Sequence, residues 1–437
     1  MHRSTDRILT THVGSLIRPE SIRAHLRAKQ KGEGYDAAAH AKTLADEVAD
    51  VVRHQAEAGV DVVSDGEFGK GISWSQYVIE RMGGFERRPF TATGGNPFTR
   101  GADRTRFADF YKELDARDHV QVTTDSVVVG PIKYTGQAAL QQDIDNFKAA
   151  LKNTKAVEGF MPVAAPASVI PDRKNEYYQN DDDLMEAIGA AMHDEYKQIV
   201  DNGFLVQLDD ARAAVTYDRM VPPGTMKDYR KWVAKQMAVT NRAIKGIPSE
   251  KIRYHVCWGS WPGPHTTDVP MREIIDLILS VRAGAFVLEM GNPRHEHEWQ
   301  VWKDVKLPKG AVLIPGVISH VSNVVEHPEL ICERIVRLAK LVGRENVIAG
   351  SDCGFAQQPT HQRVHPSIQW AKLEALAEGA RLATKELWGK GKKPAVKKAP
   401  AKKAAAKKAP AREDAAEATG VDVAPAEGET ADTRSAR

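Results

Sequence analysis

A histidine and a cysteine in the segment IRYHVCWG are spaced to bind one metal ion. His255 and Cys257 are two positions apart, and residues i and i+2 of a β-strand lie on the same face. An imidazole and a thiolate together suit zinc, which prefers nitrogen and sulfur ligands in tetrahedral sites. Such a site needs further ligands, and Glu289 and Cys353 follow two other apolar segments. We therefore predict a zinc site formed by His255, Cys257, Glu289 and Cys353.

Two thiolates on one zinc ion have two common uses. Structural sites usually contain CxxC pairs, and this chain has none. The other use is the binding of a substrate thiol, whose pKa the metal lowers so that the nucleophilic thiolate forms at neutral pH. Glu289 is then the ligand that the substrate sulfur could displace. An HxC pair alone is a weak signal and is more typical of a buried cysteine and a hydrogen-bonded histidine, but the four positions together favour a zinc-dependent thiol alkyltransferase.

Eight short apolar segments, separated by amphipathic stretches, indicate the fold. They are continuous rather than alternating and rich in β-branched residues, as in strands buried on both faces of a parallel sheet. Eight βα units predict an α/β fold, the (β/α)8 TIM barrel. An open doubly wound sheet is the alternative, but no GxGxxG follows the first segment. The segments are ILTTHVGS, VDVVSDGE, GFMPVAAPAS, FLVQLDD, IRYHVCWG, AFVLEM, AVLIPGVIS and NVIAGSDCG.

Polar residues end nearly every one of these segments. In an α/β barrel the carboxyl ends of the strands form one shared rim, where active sites lie. We expect Glu67 and Asp209 to pair with an ammonium group there and Ser15 to meet a carboxylate. The alternative is that Asp65 and Asp209 cap the helices that follow them. Four histidines nearby are alternative ligands or acid–base groups: His265, His295, His297 and His361.

Two regions depart from the βα alternation. From Phe85 to Tyr134 the sequence is polar and Gly-rich and includes VQVTTDSVVVGPIKY, which predicts an inserted β-hairpin or lid at about 85–145. After Gly389 a Lys/Ala/Pro block and then an acidic stretch take over. We predict a catalytic barrel over 1–389 and a disordered tail over 390–437. The basic block is either a weak tether to an anionic surface, such as nucleic acid, or a solvated tail.

Composition narrows the class of protein further. A net charge of +3 does not indicate a nucleic-acid partner, and no apolar run is long enough to span a membrane. Three cysteines argue against a disulfide framework, and the N-terminus does not resemble a signal peptide. These features predict a cytoplasmic enzyme. Cys332 lies among apolar residues of an amphipathic stretch, and we expect it to pack in the core.

In this order, the motifs resemble those of the catalytic barrel of the cobalamin-independent methionine synthases and their single-barrel relatives, over about residues 6–385. TTHVGSLIRP is similar to the opening strand that binds the thiol substrate. DGEFGK and VQLDDA are similar to the segments that contact the homocysteine amino group, which implies this role for Glu67 and Asp209. The resemblance also implies that the HxC pair, Glu289 and Cys353 hold zinc, and that homocysteine is methylated to methionine.

The part of the site that would bind the methyl donor departs from the family pattern. The family segment GPVT reads APAS here, and Asp172 stands where a tryptophan stacks on the folate donor. GVYDIHSP reads GVISHVSN, so Ser319 replaces the aspartate. His320 approximates, one position out of register, the histidine that protonates the folate leaving group, and it is the predicted catalytic residue. Methyltetrahydrofolate is therefore one donor among several that the sequence permits.

Three functions remain open from the sequence. Ser15, Glu67 and Asp209 favour a homocysteine methyltransferase. A second candidate is another thiol alkyltransferase, such as the epoxyalkane:coenzyme M transferases, but a sulfonate would favour Arg and Lys over Glu67 and Asp209. The third is a zinc-stabilised barrel that binds a partner without catalysis through its basic tail.

Overall fold

The computed structural model describes residues 1–89, 100–117, 124–169, 173–359 and 362–389. Over these ranges the strands of the barrel alternate along the chain with helices. A smaller sheet combines two strands inserted after the second barrel strand with one strand that follows the third barrel strand. The strands are β1 (Leu9–Thr10), β2 (Val62–Val63), β3 (Met82–Pro89), β4 (Thr124–Tyr134), β5 (Glu158–Ala164), β6 (Arg173–Asn175), β7 (Leu205–Asp210), β8 (Ile252–Val256), β9 (Ala285–Leu288), β10 (Val312–Ile318) and β11 (Ile348–Ser351).

The larger sheet is a closed parallel barrel. Its strand order is β1-β11-β10-β9-β8-β7-β5-β2, and every pairing between neighbours is parallel. A parallel bridge between Thr11 and Val62 joins the two remaining edges. Each of the eight apolar segments of the sequence contains one of these strands. The predicted (β/α)8 barrel is therefore confirmed.

Five of the helices begin at residues whose side chains satisfy free backbone N–H groups, namely α2, α7, α10, α12 and α13. Asp36 accepts hydrogen bonds from two backbone N–H groups at the start of α2, and Thr225 and Asp228 form a capping box on α10. The helices are α1 (Glu20–Lys31), α2 (Ala37–Glu57), α3 (Ala102–Arg106), α4 (Ala108–Arg117), α5 (Gln137–Leu151), α6 (Pro166–Val169), α7 (Asp181–Asp201), α8 (Arg212–Val215), α9 (Tyr217–Met220), α10 (Met226–Ala243), α11 (Ile275–Ile278), α12 (Pro328–Val342) and α13 (Pro366–Trp388).

The core has two parts. The larger cluster lies between the strands and the helices, and Cys332 of α12 packs against it half-buried. The smaller cluster lies along the neighbouring barrel strands β8, β9, β10, β11 and β1 and contains Cys257 and Cys353 together with aliphatic side chains such as Val287 and Ile314. Because inward-facing residues of a barrel form packed layers, the two cysteines rest on a rigid apolar layer.

The inserted sheet occupies the region where the sequence predicts a hairpin. β3 pairs with β4 antiparallel, and β6 adds a third strand parallel to β4. Helix α5 begins at Gln137, inside the predicted 85–145 insertion, but it packs against α2 and so belongs to the helical layer of the barrel. The predicted disordered tail, 390–437, lies outside the described residues. Among the helices of the described ranges, none combines the length and apolar character needed to cross a membrane.

Candidate metal centre and substrate site

Three of the four predicted metal ligands meet at the carboxyl end of the barrel. The ligand atoms of His255, Cys257 and Cys353 all lie within 4.8 Å of one another, and all three side chains are buried. The two Sγ atoms are 3.6 Å apart. This is much longer than a disulfide bond of about 2.05 Å. It is close to the separation of about 3.8 Å that tetrahedral geometry gives two thiolates on one zinc.

The His255 ring is prepared to bind a metal ion. Its Nδ1 atom lies 3.1 Å from the carbonyl oxygen of Val287, which can only accept, so Nδ1 carries the ring proton. Among the residues that the structure describes, the buried Nε2 atom has no hydrogen-bond partner. Burial lowers the pKa of His255 to about 4, which keeps the ring neutral. An unpartnered lone pair beside two thiols fits a bound metal ion.

Glu289 lies beside this cluster and is not one of its three members. One carboxylate oxygen accepts a hydrogen bond of 2.8 Å from the backbone N–H of Trp258, and the other accepts one of 3.1 Å from Asn292. Burial, reinforced by the neighbouring Cys257 thiol, raises the pKa of Glu289 well above its usual range. Its place as fourth ligand stays a prediction.

Asp352 connects the ends of β9 and β11. One oxygen accepts hydrogen bonds from the backbone N–H groups of Met290 and Gly291, at 2.9 and 2.7 Å, and the other accepts one of 3.0 Å from Asn292. The next residue is Cys353. Asp352 therefore fixes the distance between two rim segments that carry predicted ligands, and Asn292 bridges Asp352 and Glu289.

The predicted ammonium-binding residues lie close together on the rim. Glu67 is buried, has a φ of 61°, and forms an ion pair of 3.0 Å with Lys70. Asp209 accepts a hydrogen bond of 2.8 Å from Gln207. Burial, together with the charge of Glu67, raises the pKa of Asp209 well above its usual range. The carboxyl groups of Glu67 and Asp209 are thus close enough to interact electrostatically, and their role in binding an ammonium group stays a prediction.

Neighbouring Asp210, not Asp209, caps the helix that follows β7. Its Oδ1 atom accepts hydrogen bonds of 2.9 Å from the backbone N–H groups of Arg212 and Ala213, and its Oδ2 atom accepts one of 2.8 Å from the Tyr254 hydroxyl. The capping alternative is therefore wrong for Asp209. Asp65 accepts a hydrogen bond of 2.9 Å from the backbone N–H of Glu67, which shapes the turn on which Glu67 lies.

Ser15 lies where the first and last barrel strands meet. Its carbonyl oxygen accepts a hydrogen bond of 2.8 Å from the Phe355 N–H, and its hydroxyl accepts one of 3.4 Å from the Ala356 N–H. A Cβ atom at Gly354 would overlap the Ser15 hydroxyl. Ser15 is therefore packed directly against the segment that follows Cys353.

His320 is buried without hydrogen bonds. Neither ring nitrogen has a partner, and burial, followed by the charge of Arg363, lowers its pKa to about 3. Ser319, which stands in place of the family aspartate, donates its backbone N–H to Glu326 at 2.8 Å. Glu326 also pairs with the buried Lys372 at 2.8 Å. The loop that carries His320 is thus anchored, while the ring itself is not.

The remaining histidines are not free to replace a ligand. Asp268 lies 3.2 Å from His265 Nδ1 and 2.9 Å from His295 Nε2. The second nitrogen of His265 lies 3.0 Å from the Trp261 carbonyl, and that of His295 lies 3.4 Å from Glu298. His297 is exposed. The predicted positions His361 and Asp172 lie outside the described residues.

The insertion is docked on the loop that follows β8. Asp103, at the start of α3, accepts hydrogen bonds from the backbone N–H and the hydroxyl of Thr266, at 3.0 and 2.6 Å. The Tyr111 hydroxyl donates to Asp103 at 2.8 Å and accepts from the Trp261 ring N–H at 3.0 Å. The insertion is therefore joined to the chain just beyond the HxC pair.

Lys70, Asp352 and Asp103 are absent from the residues that the sequence predicts. The sequence could have indicated Lys70, because it follows Glu67 by three residues in GEFGK and the two side chains carry opposite charges. Asp352 precedes a predicted ligand, but its role depends on N–H groups about sixty positions away. Nothing in the local sequence pairs Asp103 with Thr266.

These observations define the chain as an α/β barrel with a buried histidine–dicysteine centre on its catalytic rim. A family model described as the catalytic domain of the cobalamin-independent synthases matches residues 8–157 and 102–372. The chain belongs to this family, and the predicted resemblance and the prediction of an enzyme are confirmed.

Individual relatives are distant but cover most of the chain. A methionine synthase of Sulfolobus acidocaldarius is 24% identical over 87% of this chain and 94% of its own length. A 2-hydroxypropyl-CoM lyase of Xanthobacter autotrophicus is 24% identical over 79% and 86%. A B12-independent methionine synthase structure from Shewanella, in complex with selenomethionine, superposes with a TM-score of 0.62 at 17% identity, covering 87% of this chain and 99% of that one. This last similarity supports the fold.

Proposed function

We propose that this enzyme is a zinc-dependent methyltransferase that converts homocysteine to methionine. The observation that carries the proposal is the buried cluster of His255, Cys257 and Cys353 with its unpartnered Nε2 atom. A zinc ion bound there would lower the pKa of the substrate thiol, so that the thiolate is available at neutral pH. The names of several relatives, which include methionine synthases from archaea, agree with this reaction.

Glu289 is the proposed fourth ligand before substrate enters. Its carboxylate lies next to Cys257 and is oriented by the Trp258 N–H and by Asn292. A carboxylate is a weaker ligand for zinc than a thiolate, and those two donors could hold it once a substrate sulfur takes its place.

The amino-acid end of homocysteine is assigned to the neighbouring rim residues. Glu67 and Asp209 would bind the ammonium group, since both are buried carboxyl groups close enough to influence each other. Ser15 would meet the carboxylate through its hydroxyl. A charge-assisted hydrogen bond in such a dry site is stronger than one at the surface, so these contacts would orient the sulfur toward the donor.

His320 is the proposed proton donor to the leaving group of the methyl donor. As the S–CH3 bond forms, the bond between the methyl carbon and its donor atom breaks, and in a folate donor that nitrogen takes up a proton. Burial keeps His320 neutral in the free protein. Proton donation therefore requires that the bound donor bring negative charge near the ring, which would raise the pKa of His320.

A second candidate is alkyl transfer to coenzyme M, because one relative is a 2-hydroxypropyl-CoM lyase. Its thiol substrate would place a sulfonate where Glu67 and Asp209 lie. Two buried carboxyl groups disfavour an anion unless a cation intervenes, so we rank homocysteine first.

The decisive experiment measures methionine formation by the zinc-loaded protein. Homocysteine is supplied with methyltetrahydrofolate, and then with other methyl donors such as S-methylmethionine, and methionine is quantified by mass spectrometry. We expect methionine with at least one donor. In parallel, the affinity of the zinc-loaded protein for coenzyme M is measured by calorimetric titration. Tight binding of coenzyme M, with no methionine from any donor, would favour the second candidate.

We also propose that residues 1–389 are the complete catalytic unit. Removal of 390–437 should leave the turnover number within about twofold of the full chain, because every candidate site residue precedes Gly389. A deletion variant that keeps its zinc but loses methyl transfer would contradict this division.

A further inference from the structure

An ion pair lies buried inside the proposed binding site for the amino acid. Lys70 and Glu67 are 6% and 3% exposed. The Lys70 Nζ atom lies 3.0 Å from Glu67 Oε2, donates a hydrogen bond of 2.9 Å to the Pro162 carbonyl, and lies 4.4 Å from the centre of the Tyr77 ring. The ammonium group is therefore surrounded by favourable contacts on several sides.

Stability alone does not account for this pair. Two charges lose their hydration on burial, and a buried ion pair is often no more stable than apolar side chains of the same volume. The pair also fills the place that the proposed function gives to the substrate, since Glu67 already holds an ammonium group. A substrate amine must therefore compete with Lys70.

The charges around the site match those of an amino acid. An α-amino acid thiol brings one ammonium and one carboxylate group. Glu67 and Asp209 suit the ammonium, which leaves the carboxylate in need of a cation. Two guanidinium groups lie nearby and are held by fixed contacts. Arg18 donates through Nη2 to the backbone carbonyls of Glu67 and Lys70, although its Nε and Nη1 atoms have no partner among the described residues, and Arg253 donates to Thr11 and His12. The Lys70 ammonium group lies at the end of a flexible four-carbon side chain, so it can move toward a substrate carboxylate.

We propose that Lys70 recognises the carboxylate of the thiol substrate and that the Glu67–Lys70 pair opens to admit it. The substrate ammonium replaces Nζ beside Glu67, and Nζ turns to the substrate carboxylate. Two opposite charges are exchanged for two opposite charges, so no unpaired charge is buried at any stage of the exchange. This inference rests on the proposed function and narrows its substrate class to thiols that carry both groups.

The test is a comparison of three thiols on zinc-loaded, full-length protein by isothermal calorimetry. Homocysteine carries both groups, 3-aminopropane-1-thiol lacks the carboxylate, and 4-mercaptobutanoate lacks the amine. For Lys70→Met we expect homocysteine to bind about 10- to 100-fold more weakly, while 3-aminopropane-1-thiol binds at least as tightly as it does to wild-type protein, because its amine no longer competes with Nζ for Glu67. Glu67→Gln should weaken both amines and spare 4-mercaptobutanoate.

Two further variants separate recognition from folding. Lys70→Met/Glu67→Gln removes both charges and so leaves no unpaired buried carboxylate. It should fold and should bind homocysteine no better than 3-aminopropane-1-thiol. Lys70→Arg should restore at least part of the preference for homocysteine. As a matched control, Lys42→Met removes a lysine from the exposed pair with Asp46 and should change none of the affinities.

The outcomes are distinct. Equal weakening of all three thiols by Lys70→Met, or no change in any, would overturn the role of Lys70 even where wild-type protein still forms methionine. Failure of wild-type protein to bind any of the three thiols would overturn the proposed function and this inference together.

Discussion

The two halves of the proposed active site are built differently. The half that would bind the thiol is formed by buried residues at strand ends that contact one another, from the Glu67–Lys70 pair to the cluster of His255, Cys257 and Cys353. The half that would bind the methyl donor contains His320, a buried ring without a hydrogen-bond partner. The side chains of the thiol half are therefore positioned before any ligand binds. In the donor half, the His320 ring would gain a hydrogen-bond partner only when the methyl donor binds.

The largest expected effect is loss of the metal from the thiol half. Cys353→Ala removes one of three clustered ligands, so we expect zinc to bind at least about 100-fold more weakly and methyl transfer to be abolished. Metal content per chain, measured after dialysis against a mild chelator, checks this. Cys332→Ala is the control, since that cysteine is half-buried on α12. Full zinc occupancy in Cys353→Ala would contradict the assigned centre.

A change in the donor half should slow the reaction and leave thiol binding intact. His320→Gln removes the proposed proton donor, so we expect kcat to fall by about 100-fold. The affinity for homocysteine should stay within about twofold, because His320 is not among the residues assigned to the thiol. Single-turnover kinetics and calorimetry on the same preparation measure both quantities. An equal loss in both would show that the two halves are not separable.

Adjacent aspartates provide a sharper comparison inside the thiol half. Asp209→Ala should raise the KM for homocysteine by about tenfold with little change in stability. Asp210→Ala should instead lower the free energy of unfolding by about 2–3 kcal/mol, because a helix cap and a hydrogen bond to Tyr254 are lost. Urea unfolding measures the stability of both variants, and steady-state kinetics measures their KM for homocysteine. The reverse pattern would exchange the two assignments.

The smallest expected effect concerns the insertion. Asp103→Ala removes the hydrogen bonds that join α3 to Thr266, so the insertion should leave the rim more often. We expect the KM for the methyl donor to rise about three- to tenfold, with the affinity for homocysteine unchanged. Faster proteolysis within 100–117 would accompany it. An effect on homocysteine alone would place the insertion over the thiol half.

The sequence predicts strands and ligands where local periodicity carries the information. Continuous β-branched segments identified all eight barrel strands, and the spacing of His255 and Cys257 predicted that these two side chains would lie together, as they do in the buried cluster. Periodicity could not separate Asp209 from Asp210, because adjacent strand residues face opposite sides and both types of side chain suit either role. Asp103 and Thr266 are paired only by the folded insertion, which no local pattern encodes.

Glu289 shows the same limit at the metal centre. Its position at the end of β9 was predictable, but its distance from the other ligands depends on Asp352 and Asn292, which arrive from different loops. The C-terminal boundary of the insertion could not be placed from the sequence for a related reason. Helix α5 follows β4 after two residues, and only its packing on α2 assigns it to the barrel.

Closure of the barrel between β1 and β11 has a consequence for how the protein is made. Ser15 and Phe355 are hydrogen-bonded in the folded chain but are separated by nearly the whole catalytic region. During synthesis the first strand can pair with the last only after almost the entire barrel has left the ribosome, so the cluster of His255, Cys257 and Cys353 forms late. If this cluster holds zinc as proposed, a chain that ends before Cys353 should bind zinc poorly, and zinc content would then indicate that the barrel is complete.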